Sequence, residues 1–102
     1  MTLRWPERLS GAGQNTANPL EFEILAEKAS ALGRAGEQAE KALEKLRSAK
    51  AGSSERHTCL KEAAEAVYGY FIQRELCGLR RHHDVIREYG IPNEVLVRLG
   101  AK

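Results

Sequence analysis

The chain of 102 residues is poor in aromatic side chains, with one Trp, three Tyr and two Phe. Any core built from it has to be thin and mostly aliphatic. It carries two cysteines, Cys59 and Cys77, too few for a disulfide framework and without the paired spacing of a zinc motif. On one helix they would stand about 27 Å apart, whereas a disulfide requires α-carbons within about 7 Å. No stretch approaches the roughly 20 apolar residues of a membrane span, and the opening Met1 to Arg8 lacks the apolar segment of a signal peptide. A reducing, cytoplasmic setting is the expectation. Charge of one sign is missing as well: 16 Lys and Arg stand interspersed with 14 Asp and Glu, for a net +2. That balance gives no strong electrostatic footprint for nucleic acid or anionic lipid. Strand alternation is not sustained anywhere, and no internal repeat is visible.

What remains is the material of one small helical domain. Residues 1–18 hold Gly11, Gly13, Asn15 and Asn18 among scattered apolar residues, too few to offset the entropy of ordering the backbone. They read as a flexible N-terminal arm ahead of a single domain, 19–102. Trp5, beside Pro6, is expected to pack into a groove on its own fold or on a partner subunit.

Asn18-Pro19 announces the first helix, with Asn as N-cap and Pro at the first helical position. Glu21 and Glu23 at its start, and Lys45, Arg47 and Lys50 at its end, complement the macrodipole, and Gly52 supplies the stop. Between these signals Phe22, Leu25, Ala29, Leu32, Gly36, Ala39, Leu43 and Leu46 fall alternately three and four residues apart. This is the a/d seam of a coiled-coil-like helix. Gly33 and Gly36 each cost about 1 kcal/mol of helix propensity relative to Ala, which predicts close packing or a bend.

Ser53 or Ser54 can cap a second helix from near Glu55, giving an antiparallel helical hairpin. On it Leu60, Ala64, Val67, Tyr68, Phe71, Ile72 and Leu79 span a broad arc that predicts deep burial, with Glu75 projecting into the same arc. Cys59, Ala66, Tyr70 and Cys77 make a narrower stripe opposite, a further contact surface. Gly78 marks a kink or break before a helix over 80–89. Gly90 fits a left-handed closure, with Ile91 as its apolar cover, and Pro92 opens a last helix over 92–99. The reading is all-α: a long hairpin followed by two short C-terminal helices. Because the arc on the second helix exceeds the seam on the first, a second copy is expected to cover the remainder, giving a homodimer with a four-helix core.

Three stretches resemble a family of small bacterial proteins of unknown function. They are Phe22 to Ala29, Tyr70 to Arg80 (YFIQRELCGLR) and Tyr89 to Gly100 (YGIPNEVLVRLG). The resemblance implies a bacterial cytosolic origin and brings no activity or functional residue with it.

Candidate chemistry is sparse. His57, Cys59, Cys77, His82, His83 and Asp84 include the side chains zinc favours, but neither His57 with Cys59 nor His82 with His83 converges on one ion in a regular helix. No metal, cofactor or catalytic set is expected. Arg80, Arg81, His82 and His83 form a basic contact surface, diluted by Asp84 and Glu88. Gln73, Arg74 and Glu75 are the one polar triplet in an apolar helix, and Arg74 and Glu75 read as an ion pair across helices or subunits that fixes register. Residues 84–99 have the loose spacing of a helix-turn-helix, yet the candidate recognition helix presents Asn93, Glu94, Val97 and Arg98 over barely two turns. The sequence therefore favours a structural or protein-interaction module with an unidentified protein partner, and the alternative is a DNA-binding or regulatory accessory using 84–99.

Overall fold

Asn18 starts the first helix as its side chain predicts: its carbonyl oxygen Oδ1 accepts the Leu20 N–H at 2.8 Å, and Pro19 follows at N1. The structure, a computed structural model, describes residues 18–100; Trp5 and the arm up to residue 17 lie outside the described residues. Helix α1 (Pro19–Ser48) ends sooner than Gly52, where Ala49 turns extended (ψ 144°). Gly52 (φ +78°) instead shapes the turn between the helices, and Lys50 falls outside α1. The Lys50 carbonyl there accepts both the Ser53 N–H (3.1 Å) and the Ser53 hydroxyl (2.7 Å). Ser53 caps α2 (Ser54–Leu76) by accepting the Arg56 N–H at 3.0 Å.

The two helices form an antiparallel hairpin of unequal arms. At 1.5 Å per residue α1 is about 45 Å long and α2 about 35 Å. The shorter arm stops beside Lys28, whose carbonyl oxygen lies 3.8 Å from Cys77 Sγ. The α1 seam is consequently covered over only part of its length. Gly36, Ala39, Leu43 and Leu46 are buried and Leu32 half-buried, but Phe22 and Leu25 are each 61% exposed and Ala29 is open as well. Beyond Lys28 no helix among the described residues meets the seam.

The faces of α2 are assigned differently from the sequence reading. The narrow stripe meets α1: Cys59, Ala63 and Tyr70 are buried, with Ala66 and Cys77 half-buried at the same helical spacing. A Cβ on Gly36 would come 3.3 Å from Tyr70 Cε1. The absence of a side chain there makes room for the Tyr70 ring and the Tyr89 hydroxyl, which explains the Gly at position 36, and Ala39 and Ala63 are fully buried in the same core. The broad arc is split. Leu60, Ala64, Val67 and Phe71 join Val85, Ile91 and Val95 in the core, while Tyr68, Ile72 and Leu79 stay 40–46% exposed.

Gly78 (φ +89°) ends α2 in a Schellman closure, the Leu79 N–H reaching the Arg74 carbonyl at 2.9 Å and the Gly78 N–H that of Glu75 at 3.0 Å. The chain then runs without regular structure to His82, so α3 (His83–Tyr89) begins later than position 80. Gly90 (φ +61°) closes it, with the Ile91 N–H on the Ile86 carbonyl at 3.0 Å. The last helix is one turn, α4 (Asn93–Leu96), followed by tight turns to Gly100 rather than a helix through Leu99. A helix this short has no stability of its own. It is held by the complete burial of Val95 and by a two-point ion pair from Arg56 to Glu94, at 3.1 and 2.5 Å. Arg47 Nη2 ties the end of α1 to that of α3 through the Tyr89 carbonyl at 2.5 Å. No strand occurs among the described residues.

Candidate functional site

Two members of the polar triplet in α2, Arg74 and Glu75, converge on a residue from the other side of Gly78. Because the Schellman closure reverses the chain, His82 comes back over the last turns of α2 and stacks on Phe71, ring centroids 4.1 Å apart and planes at 7°. Arg74 Nε donates to His82 Nδ1 at 3.1 Å. Arginine has no acceptor, so Nδ1 must be the accepting nitrogen and Nε2 carries the hydrogen. Nε2 faces Glu75 Oε2 at 3.0 Å. A second arm of the Arg74 guanidinium donates to the Arg81 carbonyl at 2.7 Å, and its carbon sits 5.9 Å from the centre of the Tyr70 ring.

Within one chain Arg74 and Glu75 thus act together, through a shared partner rather than by pairing with each other. Each grips the same imidazole, which is only 14% exposed. Gln73, half-buried, lends its backbone carbonyl to the Cys77 N–H at 3.2 Å. A carboxylate on one imidazole nitrogen is half of a nucleophile-activating arrangement, but activation needs the other nitrogen to face a nucleophile. Here a cation occupies that position. The cluster is a clasp on the α2–α3 connection, and with both nitrogens engaged it can neither relay a proton nor ligate a metal without opening.

The basic surface divides accordingly. Arg80, Arg81 and His83 are exposed, and His82 has turned inward. Among the described residues no three His, Cys, Asp or Glu side chains come together to hold a metal ion. Residues 84–99 present no recognition helix: α4 is one turn, Val95 is buried under it, and Glu94 is committed to Arg56. The hydrogen bond to Arg56 holds the Glu94 carboxyl below its ordinary value and raises the Arg56 guanidinium. An open groove of about 650 Å³ between α2 and the C-terminal turns is lined by His57, Lys61, Glu65, Tyr68 and Arg98.

The larger exposed features are apolar. Leu20, Phe22, Ile24 and Leu25 surround the start of α1, and Tyr68, Ile72 and Leu76 run along α2 with Leu79 just past its end, all 40–61% exposed. Sequence reading placed several of these in the core. The signal that could have corrected it is the set of small residues Gly36, Ala39 and Ala63, all buried, which marks the faces that the two helices turn inward.

These features define a helical hairpin closed by a clasped C-terminal tail. The chain belongs to the DUF6665 family, a family of unknown function, whose model matches residues 9–102. No curated protein and no solved structure matches it. No helix among the described residues is long and apolar enough to cross a membrane.

Proposed function

We propose that this protein is a structural or protein-interaction module that works as a homodimer in a bacterial cytoplasm. The observation that carries the reading is the row Tyr68, Ile72 and Leu76, three large apolar side chains at helical spacing on α2, with Leu79 just past its end, each at least 40% exposed. Contiguous apolar surface of this kind marks an interaction site. Two copies laid antiparallel about Ile72 set Tyr68 of one against Leu76 of the partner subunit and form a four-helix core. Two unpaired cysteines suit a reducing compartment. Light scattering at high micromolar concentration tests the assembly: the wild-type chain is expected to be a dimer and Ile72→Glu a monomer with unchanged helix content. A wild-type monomer under those conditions overturns it.

A further inference from the structure

The overhang of α1 needs a different occupant from the α2 row. Two overhangs packed on each other would meet over Pro19–Glu27 alone, about 14 Å of helix, before each ran into α2 of the other copy. That footprint falls far below the roughly 800 Å² per partner of a stable interface. A second copy therefore cannot be held by this face.

The chain supplies another candidate where the overhang begins. Seventeen residues precede Asn18, and at about 3.3 Å per extended residue they reach up to about 56 Å, several times the length of the face. Their order suits a reversal: Leu3, Trp5 and Leu9 come first, then Ser10, Gly11, Gly13 and Asn15, the residue types that turns require. Charges match as well. The arm carries Arg4 and Arg8 against Glu7, whereas the overhang carries Glu21, Glu23 and Glu27 against Lys28. A basic, Trp-bearing segment thus stands next to an acidic helix start with Phe22 and Leu25 open.

We infer that the arm folds back within its own chain and covers the α1 overhang, with Trp5 seated against Phe22 and Leu25. This contact is independent of the α2 dimer face. Trp5 is the only tryptophan in the chain, so its emission reports the contact directly in the intact protein. The expected result is emission shifted to shorter wavelength than free tryptophan in water and shielded from acrylamide, both unchanged on hundred-fold dilution. In Phe22→Ser/Leu25→Asp the emission moves to the position of the free residue while circular dichroism keeps the hairpin's helix signal. Water-like emission in the wild-type chain, or emission that the double substitution does not move, overturns the proposal. So does a blue shift that disappears on dilution, which would assign the arm to another copy. Ile72→Glu, which addresses the dimer face alone, is expected to leave Trp5 emission in place.

Discussion

His82 lies flat on Phe71 at 4.1 Å between ring centres, although Gly78 and a stretch of irregular chain separate the two residues. The stack and the hydrogen bonds to Arg74 and Glu75 hold one imidazole on three sides. This single side chain therefore fixes how the C-terminal tail returns over α2, and with it where Val85, Ile91 and Val95 meet the core.

Removing that imidazole should be costly. His82→Ala loses the stack and both ring hydrogen bonds, with an expected destabilisation of about 2 kcal/mol, read as a lower urea midpoint. His82→Phe keeps the stack and should recover about half of the loss, since Glu75 is half exposed and can return to water.

The Arg56–Glu94 pair makes stability depend on acid. Its hydrogen bond holds the Glu94 carboxyl below the ordinary value of 4.5. A depressed carboxyl contributes fully above its unfolded value and loses that contribution as pH falls through the folded value. The wild-type urea midpoint should therefore drop below about pH 4.5 more steeply than that of Glu94→Gln. Equal slopes for the two chains would refute the linkage.

Tyr89 gives the opposite limb. The neighbouring Tyr70 hydroxyl and burial push its phenol up to about 12 from 10.0, and its ring stacks on that of Tyr70 at 5.7 Å. Here the neutral form is favoured by folding, so stability is complete below pH 10 and declines from there towards pH 12. Tyr89→Phe should flatten that decline, and ultraviolet titration should show one tyrosine fewer among the late-ionising groups.

Two helix glycines three residues apart should respond with opposite sign. A Cβ at Gly33 meets nothing within 4 Å, so Gly33→Ala should gain about 0.5–1 kcal/mol from helix propensity. At Gly36 the same atom stands 3.3 Å from Tyr70 Cε1 and 3.5 Å from Tyr89 Oη, in a stack that cannot easily give. Gly36→Ala should lower the thermal midpoint, and a gain equal to that of Gly33→Ala would contradict the close approach.

Local signals carried the sequence reading far. Asn18-Pro19, Ser53, Gly78 and Gly90 each act through their own backbone or the next few residues, so the hairpin and its breaks are legible without tertiary information. The burial of α2 is not, because it depends on which face α1 takes. Counting bulk favours Tyr68 and Ile72, whereas it is the smaller Ala63 and Cys59 that are buried. The site shows the same divide. Arg74 and Glu75 stand out as polar residues in an apolar helix, but their common partner His82 becomes visible only once Gly78 has reversed the chain. Phe71, which completes the clasp from below, offers no polar signal at all.

The unequal lengths of α1 and α2 separate two demands on one helix. From Leu32 onward each apolar side chain answers to the fold, and altering it disturbs the hairpin. Ahead of Lys28 the same helix juts out like a tongue past the end of its neighbour, so changes at Phe22 or Leu25 can retune how the arm is held while the body stays folded. Seating the arm and folding the hairpin can be engineered apart in this chain, on either side of a single turn of helix.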